Sequence, residues 1–192
     1  MQSSQRYAAA ILAGGQSVRM GTPKQLVQDG DETLGSQMLT IARACCDRVL
    51  VAGPPGSMPG EAAIADLPNH TGSGPLAGIE AVLATGIAER WLVFPCDMPR
   101  LHAADASRLL QGTGAVCCFE DPAAEGKALP LPMAIDASML ASITKFLDTE
   151  RRAVHGWLDT VTCTLVEPPS RKTLVNINSP EDLHRSASQQ SP

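Results

Sequence analysis

Paired glycines at the end of an apolar run, with an arginine and a lysine a few residues on, make a place where phosphate oxygens can be gripped. Leu12-Ala13-Gly14-Gly15 runs into Gln16-Ser17-Val18-Arg19-Met20-Gly21 and then Thr22-Pro23-Lys24. Glycines bring no side chain, so backbone N–H groups can approach phosphate closely. Arg19 and Lys24 add full positive charges on the same loop. The spacing fits neither common phosphate fingerprint. A Walker A loop needs Lys-Ser/Thr after its last glycine, and Val18 stands where a dinucleotide-binding loop has its third glycine. A plain Gly-Gly turn would explain Gly14-Gly15 alone, but not Arg19, Gly21 and Lys24 at this spacing.

Three further patches bear on chemistry. Asp97 follows the apolar run Trp91-Leu92-Val93-Phe94 and lies between Pro95 and Pro99. A carboxylate there suits magnesium, which takes one or two carboxylates plus substrate phosphates; a turn or helix-capping aspartate is the structural alternative. Gly72-Ser73-Gly74-Pro75-Leu76-Ala77-Gly78-Ile79 is a glycine-rich entry into a helix. Such an entry offers N–H groups and a positive dipole end, or is an ordinary loop. Asn176 and Asn178 alternate around Ile177, so in extended backbone both point the same way, toward a polar ligand or into caps and turns.

These patches need a scaffold. Tyr7–Leu12 reads as a buried strand that stops at the glycines, and 48–52, 91–94, 116–119, 131–135 and 162–166 read as further strands. Helices are expected near 35–44, 75–85, 138–147 and 150–158, and one opening at Ser179 as N-cap with Pro180 behind it. Residues 121–127 read as an exposed loop. Strands alternating with helices predict an α/β fold, a Rossmann-like three-layer sandwich with a mostly parallel central sheet. In such sheets ligands sit beyond the carboxyl ends of the strands, where the first glycine pair falls.

The chain has 192 residues and is 44% hydrophobic but only 3% aromatic, so one domain over 1–192 is expected, its core built from Ala, Val, Leu and Ile. Residues 1–5 and 186–192 read as frayed ends. A net charge of −5 gives no general attraction to nucleic acid or an anionic membrane. The six cysteines form no CxxC pair and read as small buried hydrophobes in a reducing cytoplasm. The polar start and the lack of a long apolar run suggest neither a signal peptide nor a membrane span, so a cytoplasmic location is expected. The four histidines are expected in surface or capping positions.

In this order the patches resemble the molybdenum cofactor guanylyltransferases (MobA), within the MobA-like NTP transferase superfamily. That family carries Leu-Ala-Gly-Gly with Arg-Met-Gly and a lysine, then Gly-Pro-Leu-Ala-Gly, Asp-Met-Pro, and Asn-x-Asn-x-Pro-Glu-Asp/Glu-Leu. The matching residues here are 12–15, 19–21 and Lys24, then 74–78, 97–99 and 176–183, which span nearly the whole chain. The resemblance implies magnesium dependence and transfer of GMP from GTP to molybdopterin, with release of pyrophosphate.

By residue, it implies nucleotide contacts from Leu12, Ala13, Gly14, Gly15, Lys24, Asp66, Gly74, Pro75, Leu76 and Asp97. Arg19, Lys24 and Asp97 take the catalytic roles and Asp97 holds the metal. Asn176, Asn178, Arg151 and Arg152 face the acceptor. Molybdoenzymes and other cofactor-biosynthesis proteins are the implied partners, with neither nucleic acid nor a membrane among them.

Two positions depart from the family: Pro23 replaces the usual aspartate before the lysine, and Ala52 or Gly53 stands where an asparagine is frequent. Both bear on base choice, so a transferase using CTP, or another phosphorylated acceptor, is the first alternative. A non-catalytic nucleotide-binding protein that delivers cofactor is the second.

Overall fold

The computed structural model describes residues 6–14, 22–170, 173–179 and 181–183. β1 (Tyr7–Leu12) is followed by a 3-10 turn at Lys24–Leu26, a short hairpin of β2 (Gln28–Asp29) and β3 (Glu32–Thr33), and α1 (Leu34–Cys45). Then come β4 (Val49–Ala52), β5 (Ala63–Ile64), α2 (Pro75–Ala84), β6 (Arg90–Pro95) and α3 (Ala103–Gln111). β7 (Val116–Glu120), β8 (Ala128–Asp136), α4 (Leu140–Leu147), α5 (Val154–Leu158) and β9 (Thr164–Val166) complete the order.

Seven strands form one sheet in the order β5-β4-β1-β6-β8-β7-β9. β8 runs antiparallel to both its neighbours, and the other pairings are parallel. The fold is the expected α/β sandwich, and the period-two alternation of the strands explains its layers. Ala8, Ala10, Leu12, Trp91 and Val93 point to the face covered by α2, α4 and α5. Ala9, Ile11, Leu92 and Phe94 point to the face covered by α1 and α3. Successive residues of a central strand thus meet opposite helix layers, which is why these strands read as continuous apolar runs.

Several elements differ from the pattern reading, each for a local reason. α3 fills a stretch to which the sequence pattern assigns no element, since only Ala106 and Leu109 of it are buried. β8 starts three residues earlier than expected, a start masked by Pro130 and Pro132, residues that ordinarily argue against a central strand. The helix expected over 150–158 begins at Val154 and not at 150. Glu150 has φ 62, a left-handed conformation that a helix cannot accept, and the chain leaves α4 through it.

β1 connects through α1 to β4 on one side, and the chain then returns through α2 to β6 on the other side of β1. The strand order therefore reverses beside β1, and in open α/β sheets ligands bind beyond the carboxyl ends of the strands at such a switch point. The α2 helix lies close there: a Cβ on Gly78 would stand 3.2 Å from Leu12 Cδ2 and 3.3 Å from Ala52 Cβ. Gly78 serves this close packing.

Candidate functional site

Segments distant in sequence converge beyond the ends of β1 and β6. Lys24 Nζ donates to Asp97 Oδ2 at 2.5 Å and also to Asn178 Oδ1. Asp97 sits just past β6, Lys24 opens the 3-10 turn, and Asn178 comes from the C-terminal segment. A backbone bond fixes the third partner, since Ile177 N donates to Asp97 O at 2.8 Å. Ile177 is wholly buried and acts as the anchor, while Asn176 and Asn178 are exposed on either side of it. Asn178 N in turn donates to Asp182 Oδ2 at 2.9 Å, and Ser179 Oγ accepts from Asp182 N, the capping role expected of Ser179.

The turn carrying Lys24 is clamped from below by Gly35 at the start of α1. A Cβ there would lie 2.7 Å from the Gln25 carbonyl oxygen and 3.1 Å from Gln25 Cβ. Gly35→Ala is therefore expected to destabilise the protein by about 1–2 kcal/mol, overpacking outweighing alanine's better helix propensity. Urea unfolding checks it; an unchanged or higher midpoint would show that the turn yields freely.

Arg100, just after the Asp97-Met98-Pro99 run, pairs with Asp29 Oδ2 at 3.1 Å, and Gln37 Nε2 donates to Asp29 O at 2.9 Å. These bonds tie the segment after β6 to the hairpin and α1. Neither Arg100 nor Asp29 is marked by the sequence reading, because a pair separated by 71 positions leaves no local pattern.

Asp97 is nearly buried, and its Oδ1 has no hydrogen-bond partner among the described residues. A buried carboxylate oxygen without a partner is costly. It is also the hard, anionic donor that magnesium takes. No group of three or more His, Cys, Asp or Glu residues gathers around a metal position among the described residues. The site thus fits an ion held by one carboxylate and completed by substrate phosphates. Cys96 beside it is no competing ligand, because burial pushes its thiol up to about 12, with Asp97 adding to the effect.

The other expected contacts are mostly backbone. Leu12, Ala13 and Leu76 have buried side chains, so only their main-chain groups can meet a ligand. Gly14 is exposed, and among the described residues a Cβ on it would meet Gly53 Cα at 3.6 Å, an ordinary contact. Gly74, with φ 78 and ψ −162, needs glycine for its conformation and hands the chain to Pro75 at the first position of α2. Asp66 accepts from Gly72 N at 2.8 Å and so shapes the loop leading to Gly74.

Gly15 and Arg19 lie outside the described residues. Arg151 and Arg152 are exposed between α4 and α5, and Arg151 stacks over Phe146 at 4.5 Å. Among the described residues no hydrogen bond or ion pair joins either arginine to the Lys24–Asp97–Asn178 cluster. Of the histidines, His102 and His155 are exposed as expected, but His70 is buried. Its surroundings explain why: two carboxylates receive it. No helix of the described residues is long and apolar enough to cross a membrane.

A family model described as the MobA-like NTP transferase domain matches residues 9–161. A molybdenum cofactor guanylyltransferase from Xanthomonas euvesicatoria pv. vesicatoria (strain 85-10) is 33% identical over 186 residues, covering 93% of each chain. A probable molybdenum cofactor guanylyltransferase from Halalkalibacterium halodurans is 32% identical over 187 residues, covering 90% of this chain and 93% of that protein. Among solved structures, molybdopterin-guanine dinucleotide biosynthesis protein A from Archaeoglobus fulgidus superposes with a TM-score of 0.79 at 20% identity, covering 95% of this chain and 97% of its own. The 2-C-methyl-D-erythritol 4-phosphate cytidylyltransferase from Thermus thermophilus does so with a TM-score of 0.70 at 18% identity, over 95% and 98%. At these identities the two structures speak to fold alone.

Proposed function

Because the chain belongs to the MobA-like NTP transferase family, we propose that it is a single nucleotidyltransferase unit that moves GMP from GTP to molybdopterin and releases pyrophosphate. The observation that carries this reading is the meeting of Lys24, Asp97 and Asn178 beyond the carboxyl ends of β1 and β6. A cation, a carboxylate with a spare oxygen and a carboxamide are what a triphosphate and a polar acceptor require of one pocket.

In this reading the terminal phosphate of molybdopterin attacks the α-phosphorus of GTP in line, the bond to the β-phosphate oxygen breaks, and pyrophosphate departs. No protein nucleophile is needed, so catalysis rests on positioning and charge neutralisation. Lys24 exchanges its bond to Asp97 for phosphate oxygens and offsets charge on the leaving pyrophosphate, with Arg19 in the same role. The amides of Ala13, Gly14 and Gly15 and the first turn of α2 at Gly74, Pro75 and Leu76 line the nucleotide side. Asn176, Asn178, Arg151 and Arg152 face the acceptor. Asp97 would hold magnesium, which would supply charge neutralisation of the triphosphate.

Molybdoenzymes and other cofactor-biosynthesis proteins would receive the product, and a cytoplasmic location agrees with the unpaired cysteines. Pyrophosphate release with GTP, CTP and ATP, each with and without molybdopterin, tests the reading. Release is expected only with molybdopterin and at least about tenfold faster with GTP than with CTP. One second reading has specific support: Pro23 before Lys24 matches sister families that use CTP, and Ala52-Gly53 at the end of β4 supplies no asparagine for guanine selection. Faster release with CTP would establish that alternative, and acceptor-independent binding without turnover would leave only a cofactor-delivery role.

A further inference from the structure

Glu80, in the middle of α2, is a wholly buried carboxyl that the proposed mechanism does not use. Thr144 Oγ1 of α4 donates to its Oε1 at 2.5 Å, and its Oε2 lies 2.7 Å from His70 Nδ1. The other ring nitrogen, Nε2, lies 3.2 Å from Oδ1 of Asp148 at the end of α4. Both nitrogens of one nearly buried imidazole thus face carboxylate oxygens. A neutral imidazole carries one N–H and leaves a lone pair against one carboxylate; an imidazolium donates to both.

His70 belongs to the loop that leads into Gly74 and Pro75. The other hydrogen bonds of that loop close on itself. Gly72 N donates to Asp66, Ser73 N to His70 O at 3.0 Å, and Thr71 Oγ1 to the Leu67 and Pro68 carbonyls. Among the hydrogen bonds of the described residues, the His70 ring is what carries a side chain of the loop to other elements, α2 through Glu80 and α4 through Asp148. Both glycines of the Gly72–Gly74 run have positive φ, so the loop itself offers little backbone resistance to moving.

We propose that His70 is a positioning residue for the triphosphate: as a charged strut between α2 and α4 it fixes the Gly72–Leu76 edge of the nucleotide pocket, and so sets nucleotide affinity. The proposal rests on reading Gly74, Pro75 and Leu76 as the phosphate-facing edge. Glu80 of α2 and Asp148 of α4 are the charged groups that act on the ring, with Thr144 reaching it through Glu80. The hydrogen bond to Glu80 is the largest influence and outweighs burial; with the charges of Glu80 and Asp148 it lifts His70 above its ordinary 6.5. Because the folded value is the higher one, the strut is complete below the unfolded value and is lost as pH rises through the folded one. Triphosphate affinity therefore weakens on the alkaline side.

Calorimetric titration of GTP and of CTP, with magnesium, from about pH 6 to about pH 9.5 tests this in the parent chain, His70→Gln and Asp148→Asn. In the parent, Kd for the nucleotide that binds is expected to rise by about fivefold or more across the alkaline limb. His70→Gln binds as weakly at neutral pH as the parent does at alkaline pH, with a flat profile. Asp148→Asn, at an exposed position, keeps the fold and moves the inflection to lower pH. An NMR titration of the His70 ring in the free protein is expected to show a value above 6.5 that falls in Asp148→Asn.

A His70→Gln profile that superposes on the parent's, or a ring that titrates at or below its ordinary value, overturns the proposal. If His70→Gln does not fold, Asp148→Asn and the ring titration decide. Because binding and ring titration need no acceptor, a failure of the transfer reaction is distinguishable from a failure of the strut.

Discussion

Asp97→Ala and Asp97→Asn are expected to lower pyrophosphate release by about 10²–10³-fold, roughly 3–4 kcal/mol of transition-state stabilisation, with a melting temperature close to the parent's. The two effects separate because of where the partners lie. Lys24, which loses a bond in Asp97→Ala, is 23% exposed at its side chain and keeps Asn178, so water and the carboxamide compensate it. The stability change is then about 0–1 kcal/mol, as for partly solvated ion pairs. Asp97 Oδ1, by contrast, has no substitute among the described residues. Asp97→Asn is the sharper variant, since its carboxamide still accepts from Lys24 but is a poor magnesium ligand. Near-normal turnover in Asp97→Asn, measured at several magnesium concentrations alongside thermal melting, would remove the metal assignment.

Lys24→Ala gives the mirror image. Its rate of pyrophosphate release is expected to fall by about 10–100-fold, through lost neutralisation of the leaving pyrophosphate. Here stability suffers too, because the side chain left behind is the more buried one: Asp97 is 10% exposed, with one oxygen already unpartnered among the described residues. A cost of about 1–3 kcal/mol is expected, partly recovered by added magnesium if the ion binds the freed carboxylate. Lys24→Arg should not restore the rate, since a planar guanidinium cannot place a compact charge between Asp97 and Asn178. Single-turnover kinetics and magnesium-dependent melting check both halves. Unchanged kinetics in Lys24→Ala would take the residue out of the site.

Much of this was legible along the chain. Leu12–Gly14 and Lys24, Asp97-Met98-Pro99 and the Asn176–Asn178 pair stand at strand ends and loops, where backbone constraints write themselves into local residue types. The continuous apolar run Tyr7–Leu12 announced a buried strand, and the structure places it within the sheet with Ala8, Ala10 and Leu12 on one face and Ala9 and Ile11 on the other. What stayed hidden was of two kinds. α3 and the start of β8 were obscured by weak or contrary local signals, Ala106 and Leu109 alone in the one case and Pro130 and Pro132 in the other. Arg100, Asp29, His70, Glu80 and Asp148 were hidden because their meaning is a distance between elements.

Sequence by itself thus determined the class of fold and set glycines, Lys24, Asp97 and the two asparagines as the residue types proposed to meet a triphosphate, since each reading depends on neighbours within a few positions. The tertiary structure alone decided that Lys24 meets Asp97 and Asn178, across 73 and 154 positions, and that Ile177 fastens the last of them to the chain after β6. It also turned a histidine expected at the surface into a buried partner of two carboxylates. Hydrogen bonds and desolvation act over a few ångströms of space, and only the packed sheet and its helices fix which residues share that space.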